Sequence, residues 1–148
     1  MPDAVEENIS FRHRISSRVT FGDIDAMGHM NNLALLRLLE TGRVDYMVDL
    51  GLAGHNELTY VLARLETDFR KQGLYGDQLC CGTRIIRLGR TSMTMDQRIW
   101  RADGEVLIGS RSVLVALAPD KVTPSEVPGS WRQRIADWEL TEPEGSPG

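Results

Sequence analysis

One segment, LALLRLLETGRVDYMVDLGL (33–52), does most to restrict how this chain can fold. Leu36, Leu39, Tyr46, Met47 and Leu50 recur at helical spacing and form a broad apolar stripe. Such a stripe predicts a long helix packed deep against a sheet. Asn31 or Asn32 stands where an N-cap is needed, and Gly51 stands where a helix stops. Gly42 falls mid-helix, where it costs about 1 kcal/mol relative to Ala. Close approach to a sheet or a second helix is therefore expected at that position.

The remaining patterned segments read mostly as strands. RISSRVTF (14–21) precedes the helix; YVLARLETDFRKQG (60–73), LCCGTRIIRLGR (79–90), SMTMDQRIWRA (92–102) and EVLIGSRSVLVALAP (105–119) follow it. GDQ (76–78) is a turn, and Asp103–Gly104 is a hairpin signal. VPGSWRQRIADWEL (127–140) is patterned as a short amphipathic helix. The order β–α–β–β–β–β predicts an α+β fold: a curved, mainly antiparallel sheet laid on one long central helix. A single thin sheet buries itself incompletely, so a homodimer or homotetramer is expected. Residues 1–10 and 141–148, rich in charge, Pro and Gly, are expected to be a flexible start and a disordered tail around one domain at 11–140.

Composition narrows the function classes. A chain of 148 residues with net charge −4 has no global pull toward nucleic acid or an anionic membrane. A polyanionic ligand then needs a local basic patch, and 15 of the 17 basic residues are Arg, which forks onto phosphate well. The start lacks the apolar core of a signal peptide, and no apolar run nears the ~20 residues that span a bilayer. Cys80 and Cys81 are adjacent on a strand and point to opposite faces, so they are expected to be reduced packing residues of a cytoplasmic protein.

The chemistry concentrates in FGDIDAMGHMNN (21–32), which puts Asp23, Asp25, His29, Asn31 and Asn32 between a strand and a helix start. Capping the helix accounts for one or two of these residues, not five. A metal at Asp23, Asp25 and His29 lacks ligands to complete its shell, because His13 and His55 stand in unrelated contexts. The D-x-D is similar to that of haloacid-dehalogenase-type phosphatases, but Met27 stands where Thr is wanted and the preceding strand is half polar. Acyl transfer needs a carbonyl polarised by helix-start N–H groups and a nearby carboxylate as nucleophile or base. Asp25 suits that role, and no G-x-S-x-G elbow or reactive-Cys context competes with it.

The D-x-D-x-x-G-H-x-N-N junction, the long helix and the four later strands together resemble a hotdog-fold acyl-CoA thioesterase, in particular the 4-hydroxybenzoyl-CoA thioesterase-like family. FGDIDAMGHMNNLALLRLLETGR (21–43) is the most specific part, and DFRKQGLYGDQL (68–79) is similar to the family's long strand and turn. The resemblance implies Asp25 as catalytic carboxylate, carbonyl-polarising amides near Asn32, and site positions for Gly28, His29 and Asn31. It implies an acyl-CoA or acyl-carrier-protein thioester as substrate, with CoA part of that substrate and no separate cofactor or metal. Arg70 with Lys71, and Arg87 with Arg90 beside Ser92, are then expected at the CoA phosphates. Some members use a helix glutamate instead; Glu40, with Arg37 and Arg43 three residues away on either side, reads better as half of an ion pair. NNL (31–33) departs from the aromatic residue that relatives acting on aromatic acyl groups carry near this point. The D-x-N-P-x-H signature of hotdog hydratases is missing. A non-catalytic acyl-CoA binder is the alternative, distinguished by loss of the carboxylate that Asp25 supplies.

Overall fold

The computed structural model describes residues 8, 10–54 and 59–146; His55 and most of the expected flexible start lie outside them. The elements are β1 (His13–Arg18), α1 (Asn32–Asp49), β2 (Tyr60–Phe69), β3 (Gln78–Leu88), β4 (Ser92–Arg101), β5 (Val106–Ala116) and α2 (Gly129–Trp138). The strands form one sheet in the order β1-β3-β4-β5-β2, with antiparallel neighbours throughout. This is the α+β arrangement the pattern predicts. No helix among the described residues is long and apolar enough to cross a membrane.

Local chemistry explains where elements stop. β1 ends at Arg18 rather than Phe21 because Thr20 donates from its N–H and hydroxyl to the Asp23 carboxylate, at 2.9 and 3.0 Å. That reciprocal cap winds Phe21–Asp23 into a single 3-10 turn. Asn31 caps α1, its side-chain oxygen accepting from the Ala34 N–H at 2.7 Å. At the other end Gly51 takes φ +71° and releases the chain. β2 stops at Phe69, four residues short of the predicted end, where the Arg70 and Lys71 N–H groups both turn onto the Leu107 carbonyl.

α1 lies on the sheet face that carries Cys81, Thr83, Gln97 and Ile99. Leu39, Tyr46, Met47 and Leu50 of the predicted stripe are buried; Leu36 is only half-buried, and Leu35 and Leu38 carry that end instead. Gly42 sets the distance between helix and sheet. A Cβ there would stand 2.9 Å from Cys81 Sγ, 3.0 Å from Gln97 Nε2 and 3.1 Å from Thr83 Oγ1. Gln97, 2% exposed, ties the two layers: its Nε2 donates to the Leu39 carbonyl at 2.9 Å and to Thr83 Oγ1 at 3.0 Å. Cys81 is buried in this core, where desolvation pushes its thiol up to about 12, while Cys80 is half-buried; both thiols are free.

The C-terminal segment closes the far end. Glu139 Oε1 accepts from the Tyr46 hydroxyl at 2.5 Å and the Ile85 N–H at 3.0 Å. Residues 141–146, expected as a loose tail, run beside β3, where Leu88 N–H donates to the Glu144 carbonyl at 2.8 Å and Glu144 N–H to the Ile86 carbonyl at 3.0 Å. Burial raises the Glu139 pKa, opposed by its two hydrogen bonds and by Arg84.

Two outcomes follow from this packing. Gly42→Ala gains about 1 kcal/mol of helix propensity but overpacks a filled site at a cost of about 1–3 kcal/mol. The net result is a lower urea midpoint with an unchanged m-value. Glu139→Gln retains the accepting oxygen and loses the ionisation. A raised folded pKa contributes stability below the unfolded value and loses it as pH rises through the folded value. The urea midpoint of Glu139→Gln relative to the parent therefore climbs from acid toward neutral pH and then levels off.

Candidate active site

The loop between the 3-10 turn and α1 folds back on itself. Asp25 N–H donates to the His29 carbonyl at 2.9 Å, and Gly28 N–H to the Asp25 carbonyl at 3.0 Å, with Gly28 at φ +82°. That left-handed geometry favours glycine over any residue with a Cβ. Asp25 Oδ1 accepts from the Met27 N–H at 2.8 Å and the His29 N–H at 3.3 Å, which fixes the carboxylate on its own turn. Asn31 N–H donates to the Asp23 carbonyl at 2.8 Å, and Met30 N–H to the Gly73 carbonyl at 2.7 Å. The second of these bonds brings the segment after β2 against the helix start.

A cavity of about 440 Å³ opens between these segments. Five residues expected at the site border it: Asp25, His29, Asn32, Arg70 and Lys71. At the start of α1 the Asn32 and Leu33 N–H groups have no hydrogen-bond partner among the described residues, whereas the Ala34 and Leu35 N–H groups are taken by Asn31. Two free donors therefore stand at the positive end of an 18-residue helix, and Asn32, which carries the first of them, borders the same cavity as Asp25. Arg70 and Lys71 add positive charge at the rim; Lys71 Nζ stands 3.8 Å from Glu105, an exposed pair worth little in water.

Two expected residues support the site without lining it. Gly28 makes the turn, and the Asn31 side chain is spent on the helix cap. Asp23 is likewise spent on Thr20, so its carboxylate serves the turn. Among the described residues no three His, Cys, Asp or Glu side chains converge.

Arg87, Arg90 and Ser92 are not brought to this cavity. β3 starts near the loop and runs away from it for 11 residues, on the order of 30 Å at strand rise. Its far end sits with the C-terminal half of α1: Leu88 and Met93 pack with Tyr46 and Leu50, whereas Met30 and Leu35 pack with Leu79. Arg90 faces Glu126 there, at 3.6 Å. The expected ion pair of Glu40 with Arg37 or Arg43 is also not made within 4.0 Å among the described residues; Glu40 is exposed, and Arg43 donates to Gln97 instead.

Met27, Met30, Leu35, Phe69 and Gln72 also border the cavity, outside the expected set. Met30 and Leu35 carry only the signal of core residues. Phe69 and Gln72 become neighbours of Asp25 through the Met30–Gly73 bond, about forty residues apart in sequence, which no local pattern announces.

Comparison with known proteins agrees with this architecture. The thioesterase superfamily profile matches residues 27–108, more than half of the chain. A thioesterase from Thermus thermophilus, solved with coenzyme A and zinc, is 32% identical and superposes with a TM-score of 0.81 over 89% of this chain and 98% of that one. A predicted thioesterase from Bacillus stearothermophilus is 26% identical, with a TM-score of 0.76 over 91% of this chain and 98% of that one. A 1,4-dihydroxy-2-naphthoyl-CoA thioesterase from Synechocystis, at 18% identity and a TM-score of 0.75 over 84% and 96% of the two chains, shares the fold. With its five-stranded antiparallel sheet and one long helix, the chain has the hotdog fold and belongs to the thioesterase superfamily.

Proposed function

We propose that the protein is an acyl-CoA thioesterase of the 4-hydroxybenzoyl-CoA thioesterase-like kind, working as an assembly of at least two copies. It converts an acyl-CoA and water into a free carboxylic acid and CoA. The observation that carries this reading is that Asp25 and Asn32, the first residue of α1, border one cavity, and that the Asn32 N–H is left free by the Asn31 cap. Coenzyme A in the Thermus thermophilus relative supports a CoA thioester over other acyl donors.

The thioester carbonyl oxygen sits against the Asn32 and Leu33 N–H groups, with the acyl chain between Met27, Met30 and Phe69. Asp25 takes a proton from water as the water oxygen bonds to the carbonyl carbon. Negative charge then grows on the carbonyl oxygen, where fixed donors lower the barrier; one such donor is worth about 2.7–4 kcal/mol in enzymes of this logic. Collapse breaks the C–S bond, and the sulfur leaves as CoA thiolate, protonated from Asp25 or water. The alternative order has the same balance: Asp25 attacks the carbon, CoA leaves, and water hydrolyses the resulting anhydride. Either way the two backbone donations to Oδ1 aim the carboxylate and leave Oδ2 for the reaction. His29 borders the same space and can hold the water or the carbonyl. Arg70 and Lys71 at the rim meet the phosphates of the nucleotide end.

The acyl group is aliphatic in this reading. The walls offered to it are two unbranched thioethers, Leu35 and the Phe69 ring, and NNL lacks an aromatic partner at the helix start.

Asp25→Asn is expected to fold as the parent does, bind CoA equally well, and lose about 10²–10⁴ in kcat, the usual worth of a general base. Turnover equal to the parent's would show that Asp25 is not the base. Across a panel of acyl-CoAs, kcat/KM is expected to be higher for straight-chain than for benzoyl-type substrates; the reverse order would discard the aliphatic assignment. The same acyl groups on an acyl carrier protein are expected to be poorer substrates.

A further inference from the structure

Met30 stands where two cavities meet. It borders the Asp25 cavity of about 440 Å³ and also a second one, of about 240 Å³, on the flank of α1 that faces β1. No other described residue lines both. The floor of the second cavity is apolar, made by Ile15 of β1 with Ala34 and Leu38 of α1, and the two helix residues are 7 and 8% exposed. Its rim is polar and includes Ser17 and Asp45. Leu35, next to Ala34 in the chain, lines the Asp25 cavity instead. The first turns of α1 therefore have a cavity on either flank, and the Met30 side chain separates the two.

That separation is firm. Met30 N–H donates to the Gly73 carbonyl at 2.7 Å, and Met30 forms an antiparallel bridge with Ile24, so its backbone is tied on two sides. The residue is 6% exposed and packs in one core cluster with Val19, Leu35, Leu79 and Leu107. It passes so close to Gly73 that a Cβ there would stand 3.0 Å from Met30 Cβ and 3.1 Å from its Sδ. An unbranched thioether fills an irregular gap of this kind well. Surroundings packed to that density leave it no room to swing aside.

We propose that Met30 is the partition that sets the length of acyl chain the protein accepts, and that its substrates are short-chain aliphatic acyl-CoAs. The inference deepens the thioesterase reading and rests on it for the substrate. With the carbonyl held at the start of α1, the chain runs along Met27 and Phe69 and ends against the Met30 thioether. A chain able to pass that point would gain burial on Ile15, Ala34 and Leu38 with each further methylene. The thioether keeps that apolar floor out of reach.

Hydrolysis of a straight-chain series from acetyl-CoA to dodecanoyl-CoA tests the partition. The parent's kcat/KM is expected to peak at a short chain and then fall about tenfold, the scale of a misfitted methylene. Met30→Ala joins the two cavities, moves the peak to longer chains and raises the long-to-short ratio of kcat/KM by about tenfold. Ser17→Phe fills the second cavity from β1 and by itself keeps the parent's profile. Added to Met30→Ala, it removes the long-chain gain, which loosened packing alone would not do. Should Met30→Ala not fold, Met30→Val removes less of the side chain and is read the same way. A variant whose peak stays at the parent's length, or a gain that survives Ser17→Phe, overturns the proposal. If neither parent nor variants hydrolyse any acyl-CoA, the thioesterase reading falls, and S-alkyl-CoA thioethers of graded length, which lack the scissile bond, still report on Met30. Tighter binding of the long thioethers by Met30→Ala upholds the partition, and affinities equal to the parent's at every length overturn it.

Discussion

Everything at the candidate site is referred to how α1 is seated on the sheet. Gly42 lets helix and sheet come within contact of Cys81, Gln97 and Thr83, and Gln97 bridges the layers by bonding the Leu39 carbonyl. Because a helix is stiff, a shift at this seat moves its first turn by a similar amount. Oxyanion-type stabilisation depends on donors held within a few tenths of an ångström of where charge develops. The glycine and the glutamine, ten residues or more from Asn32 in helix or sheet, thus bear on where the Asn32 and Leu33 N–H groups stand.

The loop before α1 solves a different problem, which is to supply a carboxylate without letting it cap the helix. Asn31 and Asp23 take the capping duties, for α1 and for the 3-10 turn. Asp25 is then free of the helix and is held by its own turn through Met27 and His29. The crowd of short polar groups in FGDIDAMGHMNN is a division of labour: two residues satisfy backbone, one glycine makes the turn, and the carboxylate left over faces the cavity. Had Asp25 served as the cap, its charge would have been spent on the same N–H groups a carbonyl needs.

Much of this was legible from residues 21–52. Helical spacing, an Asn before the first turn and a mid-helix glycine each report a local physical requirement, and the structure meets all three. The strand ends were less legible, because side-chain caps and carbonyl contacts such as Arg70 and Lys71 onto Leu107 override β propensity at the margins. Charged residues were the least legible. Arg87 and Arg90 look like Arg70 and Lys71 in sequence, yet strand direction sends the first pair to the opposite end of the sheet. Glu40 and Arg43 have the spacing of a helix-surface pair, but Arg43 turns inward to Gln97 and the direct ion pair is not made.

By itself the sequence determined the elements, their order, the helix seat and the acidic turn, since those follow from periodicity, capping and backbone freedom within a few residues. Only the tertiary structure decided which distant groups share the cavity with Asp25 and which charges form direct ion pairs. Those outcomes depend on strand order and on one bond, Met30 to Gly73, that closes a loop of some forty residues. A local pattern carries no record of the direction in which a strand leaves a site, and that direction is what separates Lys71 from Arg90.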